Sequence, residues 1–299
     1  VASNKIDGHH VLYHYLQKNL QQEDDGLFRA VVARLIDNLA IWFSPETYRA
    51  MPILIPFAIR DPKVRGDKKR GIPDQWGAPN PAGYLRDDNS LIKGIPRSLR
   101  IVGSNALYRG RRLGNGFVAC HVWRELASNP ESVAVASRHP LTYSFVPNLV
   151  WLPVQVAKLT DREGSFAQRY LQAHSLRLYR DVSFEGRLRD WVEAAWALLP
   201  EPQTSDLPLP STFSPSMFAH DPKLVERRKK TAQDVAVALL ARAAGQPIVG
   251  KVVTSRYTEG LSALPSEVLL KLASSLEDYL SALRDEWGAK GRLVSREIP

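Results

Sequence analysis

Cys120 and His121 lie in one apolar run, Gly-Asn-Gly-Phe-Val-Ala-Cys-His-Val-Trp (114–123). Asn148 opens another, Asn-Leu-Val-Trp-Leu-Pro (148–153). An imidazole can take a proton from water near neutral pH. An amide oxygen near the start of the next strand can serve as a cation ligand. Phosphodiester hydrolysis calls for both kinds of help: a base to deprotonate the water, and a divalent cation to neutralise charge on the scissile phosphate. Two adjacent strands would present His121 and Asn148 to one phosphate. The bland reading stays open beside this one. A histidine after an apolar strand is commonly a hydrogen-bonded structural residue, and an asparagine after Pro147 commonly caps a turn. Cys120 reads as a small buried hydrophobe, a metal ligand or a reactive thiol.

The charge of the chain is concentrated just before this run. Residues 60–112 hold thirteen Lys or Arg against five Asp, within a net charge of +9 over 299 residues. A surface of this kind suits a polyanion, nucleic acid being the commonest. Lys68, Lys69, Arg70, Arg97, Arg100, Arg109, Arg111 and Arg112 are the candidate phosphate contacts, with Lys158 further on. The arginines suit bidentate contacts better than the lysines do. Such contacts position a protein without reading sequence. DNA is the expected partner, with RNA as the alternative and a homodimer or partner protein as a further expectation. The charge could also serve solubility alone. Arg227-Arg228-Lys229-Lys230 reads as a solvated helix face or a second phosphate contact.

The elements that must position these residues follow from periodicity and punctuation. Helices are predicted over 5–22, 26–43, 154–160, 164–179, 185–199, 223–244 and 265–288. Strands are predicted over 116–124 and 146–153, with short ones near 99–102 and 106–109. Glycine and proline break up 60–112 into a loop-rich segment, in which Trp76, Tyr84, Leu91 and Ile92 argue for order. Four prolines between Pro202 and Pro215 mark 201–222 as a linker. The expected organisation is a helical region (1–59), the basic segment with the strands and following helices (60–200), the linker, and a C-terminal helical region (223–299). The fold class is α+β, a mostly helical body around a small strand–strand–helix unit.

That unit resembles the HNH, or ββα-metal, endonucleases. The likeness rests on a histidine on the first strand, an asparagine opening the second, the Asn-Leu-Val-Trp-Leu step, and a helix after it; it covers about 60 residues (114–180). The resemblance implies a nuclease with His121 as general base, in restriction or phage defence. It implies that Asn148 braces the loop or binds a metal. It also implies a divalent ion, magnesium or manganese first and zinc as the alternative. Cys120 stands where the family often has Asp or His as a ligand, and Ala157 or Lys158 stands near its third histidine. Asp161, His139 or His174 would have to complete the shell. A non-catalytic nucleic-acid-binding module is the alternative.

Other chemistries lack their signatures. There is no Gly-x-Ser-x-Gly elbow and no phosphate-loop sequence. The glycines at 110, 114 and 116 precede a strand rather than a helix, unlike a dinucleotide site. His9, His10 and His14 have no nearby carboxylate to complete a hydrolase set and read as structural. The single cysteine suits a reducing, cytoplasmic setting and forbids an intrachain disulfide. No apolar run is long enough to span a membrane. The start, without Met or a charged-then-apolar leader, reads as trimmed.

Overall fold

The computed structural model describes residues 25–62, 83–127, 135–160, 164–247 and 264–294. The expected helix over 5–22 and the cluster Lys68-Lys69-Arg70 lie outside these residues.

The first described helix, α1 (Asp25–Leu39), stops short of its expected end, and Ile41–Phe43 forms strand β1 instead. Three consecutive large apolar residues suit a strand buried on both faces better than one side of a helix. All three are fully buried. A short helix α2 (Pro45–Ala50) follows, capped by the Ser44 hydroxyl, which accepts from the Thr47 N–H. The basic segment then supplies β2 (Ala58–Arg60), β3 (Leu85–Asp87), α3 (Ser90–Gly94) and β4 (Ile101–Val102). The expected strand near 106–109 is a turn, with only a single bridge from Arg109 to Ile101.

β5 (Phe117–His121) and β6 (Leu149–Pro153) pair antiparallel over their whole length, His121 opposite Leu149 and Phe117 opposite Pro153. Helix α4 (Val154–Ala157) follows at once and tightens into a 3-10 turn over Lys158–Thr160. The strand–strand–helix order is therefore present, but the pair is not a free-standing hairpin. It is one side of a five-stranded mixed sheet of order β4-β7-β1-β6-β5, in which β7 is Ser216–Phe218. β7 runs parallel to β1 and antiparallel to β4. Part of the proline-rich stretch read as a linker thus lies inside the sheet. β2 and β3 form a separate parallel pair, with Arg60 opposite Asp87.

Aromatic rings fill the centre. Phe43 meets Trp151 at 5.2 Å and Phe218 at 5.3 Å, joining three strands in one contact. The Tyr179 hydroxyl donates to the Phe43 carbonyl at 2.6 Å, which docks helix α5 (Phe166–Tyr179) on the sheet. Helices α6 (Gly186–Ala197), α7 (Pro222–Ala243) and α8 (Ser266–Val294) complete the α+β architecture. Arg187 on α6 reaches Asp278 at 2.7 Å and Asp285 at 2.8 Å on α8. The Tyr279 hydroxyl accepts from the Ile53 N–H at 2.9 Å, so α8 is tied to the chain leading into β2. Among the described residues no helix is long and apolar enough to cross a membrane.

Candidate functional site

β5 is an edge of the sheet, and a cleft of about 290 Å³ opens beside it. Its walls come from Val118, Ala119, Cys120 and His121 of β5, from Val154, Ala157, Lys158 and Thr160 of the helix after β6, and from Arg60, Asn89, Arg124, Val135 and Ser137. Arg60, Arg124 and Lys158 are exposed at this cleft. No carboxylate lines it among the described residues. The result is a small cationic cleft with an imidazole in its wall.

His121 is half-buried and held in one orientation. Its Nε2 lies 2.9 Å from the Tyr143 carbonyl oxygen, and its ring stacks on the Tyr143 ring at 5.5 Å. A carbonyl only accepts, so Nε2 carries the proton and Nδ1 the lone pair. Nδ1 has no protein partner among the described residues, and His121 is part of the cleft wall. Desolvation first, and the Arg60 charge after it, lower the pKa against the opposing bond to Tyr143, and together they bring it to about 4. The ring is neutral at physiological pH.

Tyr143 is itself fixed. Its hydroxyl donates to Asp87 Oδ2 at 2.7 Å. Asp87 is buried and also accepts from the Leu91 and Ile92 N–H groups, each at 3.1 Å. Burial raises the Asp87 pKa, and these hydrogen bonds pull against it. Asn89, at φ 80°, donates to the Ala119 carbonyl at 3.2 Å and so caps part of the open edge of β5.

Asn148 is fully buried and spends its side chain on backbone. Its Oδ1 accepts from the Trp123 N–H at 2.7 Å, and its Nδ2 donates to the Thr142 carbonyl at 3.0 Å. Its own carbonyl accepts from the Val122 N–H at 3.0 Å. One side chain thus closes the excursion that leaves β5 at His121 and returns to β6. Of the two roles expected for Asn148, the brace is what the geometry provides. Both polar atoms of its amide are engaged with backbone inside the core, and Asn148 is not in the cleft wall where the expected metal would sit.

The other candidates divide. Lys158 and Cys120 line the cleft with His121. Cys120 and His121 are neighbours on a strand, so their side chains leave opposite faces, which counts against their gripping one ion together. His139 is not in the cleft wall. Its Nδ1 accepts from the Leu141 N–H at 3.3 Å, within a turn, and burial lowers its pKa. His174 is fully buried against Asp37 (2.9 Å) and Phe213 on another part of the sheet's helical cover. Asp161 lies outside the described residues. Arg97, Arg100, Arg109, Arg111 and Arg112 do not line the cleft. They sit around β4, the opposite edge of the sheet. Where their hairpin reaches back, Tyr108 meets Phe117 at 5.8 Å, at the start of β5 and four residues from His121, roughly 13 Å along the strand. Basic cluster and histidine are therefore two places rather than one.

A divalent ion fits the described residues poorly. None of them form a group of three His, Cys, Asp or Glu side chains able to hold one. The cleft offers three cations and a thiol, where magnesium and manganese want anionic oxygen. The residues missed from the sequence are Arg60, Arg124, Asn89 and Tyr143. Arg124 carries a faint signal, a cation directly after an apolar strand. Tyr143 carries none, because only the folded loop brings its carbonyl to His121.

Comparison of the chain with family models, with curated proteins and with solved structures found no match.

Two outcomes follow from this geometry. Asn148→Ala strands a buried N–H and a buried carbonyl and should cost about 2–4 kcal/mol in denaturant unfolding; a loss under ~0.5 kcal/mol would mean the brace is not stabilising. The second concerns pH. His121 protonates near its ordinary value when unfolded but only near pH 4 when folded, so the unfolded state binds the extra proton between these limits. Stability should fall as pH drops from about 6.5 to 4, by up to ~3 kcal/mol. His121→Asn should flatten that part of the stability–pH curve, and an unaltered curve would show that the ring is not held neutral.

Proposed function

We propose that this chain is an HNH-like endonuclease that binds the nucleic-acid backbone in the β5 cleft and uses His121 as general base. The observation that carries the reading is the state of His121: its Nε2–H is tied to the Tyr143 carbonyl, which leaves the lone pair on Nδ1, and the residue lines a cleft with Arg60, Arg124 and Lys158. A base must be neutral and oriented before it meets water, and both conditions hold at pH 7. Its low pKa makes it a weak base in the free protein. A bound phosphate would add negative charge beside the ring and raise that pKa toward the useful range.

In the reaction, Nδ1 takes a proton from a water molecule. The water oxygen bonds to phosphorus, and the bond from phosphorus to the leaving sugar oxygen breaks. That oxygen is protonated from solvent, to which the cleft is open. Arg60, Arg124 and Lys158 offset the charge that builds on the non-bridging oxygens. A divalent ion, which the resemblance implies, would have to draw on residues beyond the described set.

The second reading is a binding module without catalysis. It is favoured by Lys158, an ammonium group in the helix close to where the resemblance calls for a ligand. Plasmid cleavage separates the two, run with magnesium, with manganese and with chelator. The proposal expects cleavage by the wild type, a fall of about 10²-fold or more in His121→Ala, and a smaller fall in Arg124→Gln. Equal cleavage by wild type and His121→Ala would remove His121 from the chemistry. DNA binding without cleavage under any of these conditions would establish the second reading in its place.

A further inference from the structure

The arginine hairpin around β4 has no role in the cleft, and its construction points to a purpose of its own. Arg97, Arg100, Arg109, Arg111 and Arg112 are all exposed. None of them pairs with a carboxylate among the described residues, although surface arginines elsewhere in the chain do, as Arg169 does with Asp206 at 2.6 Å. Two are held by neutral partners. Arg100 donates to the Gly110 carbonyl at 3.1 Å, and Arg109 Nε donates to the Gly103 carbonyl at 3.1 Å. These bonds orient the guanidinium groups and leave their charge uncancelled.

The hairpin is rigidly mounted. The Ile101 N–H donates to the Arg111 carbonyl, and the Gly110 N–H donates to the Ile101 carbonyl, both at 2.8 Å. The Ser104 hydroxyl donates to the Ser214 carbonyl at 2.8 Å, and Asn105 Nδ2 donates to the Asn38 carbonyl at 2.5 Å. Gly103 adopts φ +129° where a Cβ would come within 2.6 Å of the Pro215 carbonyl oxygen, so the turn seats tightly on the chain entering β7. At the tip stands Leu107, 67% exposed, the most exposed of the large apolar side chains described. An apolar tip beside unneutralised guanidinium groups is complementary to a duplex, where guanidinium groups span phosphates while an apolar side chain lies against sugars and base edges in the groove.

We infer that the 97–112 hairpin is a duplex-docking element separate from the His121 cleft, with Arg111 and Arg112 on backbone phosphates and Leu107 in the groove. The inference rests on the nucleic-acid reading but not on cleavage. Its pre-ordered loop binds without a large ordering cost. The test is fluorescence anisotropy of a labelled 30-bp duplex titrated with the whole chain across a salt series. Arg111→Gln/Arg112→Gln should weaken binding about tenfold or more near 0.15 M salt and lower the log–log salt slope by roughly 2, at about 0.9 per phosphate contact. Leu107→Ser should weaken binding several-fold with the slope unchanged, and Arg169→Gln, at an arginine already paired with Asp206, should bind as the wild type does. Arginine variants that keep the wild-type slope overturn the hairpin and leave cleavage at the cleft standing. A wild type that never cuts, but loses slope in these variants, overturns the nuclease and keeps the hairpin. A wild type with no affinity for duplex, or one that instead binds an acidic protein with the same arginines, overturns the inference.

Discussion

The loop between β5 and β6 must leave the sheet and come back with backbone polar groups inside the core. Asn148 makes that possible. An amide is a donor and an acceptor on one flat group, so a single side chain satisfies an N–H on the outgoing limb, at Trp123, and a carbonyl on the returning limb, at Thr142. With the two limbs held, the Tyr143 carbonyl meets His121. The proton on His121 then has one place to be. Remove the amide and the orientation and tautomer of the imidazole lose their support.

Support for this arrangement extends through the fold. Phe43, Trp151 and Phe218 lock β1, β6 and β7 into one aromatic layer, and β6 carries the return limb into register with β5. Asp87 reaches Tyr143 from the second, smaller sheet, whose β2 also delivers Arg60 to the cleft. The two sheets therefore converge on one imidazole, one by pairing and one by a buried carboxylate. The cations at the rim and the uncharged ring within are compatible because the ring is desolvated; a protonated His121 beside Arg60 would be costly.

The sequence made part of this legible. Helical periodicity located α5, α6, α7 and α8 to within a few residues, apart from the far end of α8, and the two apolar runs marked β5 and β6. Asn148 entered the candidate set through the HNH resemblance, which left a brace and a metal ligand both open; its bonds to Trp123 and Thr142 are visible only in the folded loop. Other features were hidden for physical reasons. β1 continues the apolar pattern of α1, and only its burial between two strands makes it extended. β7 is three residues long and follows Pro215, so its pairing with β1 is set by the sheet and not by its own composition. The arginines near His121 in sequence belong to the other edge in space, because adjacency along a loop-rich segment does not survive the crossing of a five-stranded sheet.

The most direct test of the central claim is ¹⁵N spectroscopy of the His121 imidazole in the whole chain. The account predicts a neutral ring at pH 6 with the proton on Nε2, titrating near pH 4, and a Nδ1 resonance that moves when a short duplex is added. A ring that protonates near pH 6.5, or that carries its proton on Nδ1, would contradict it.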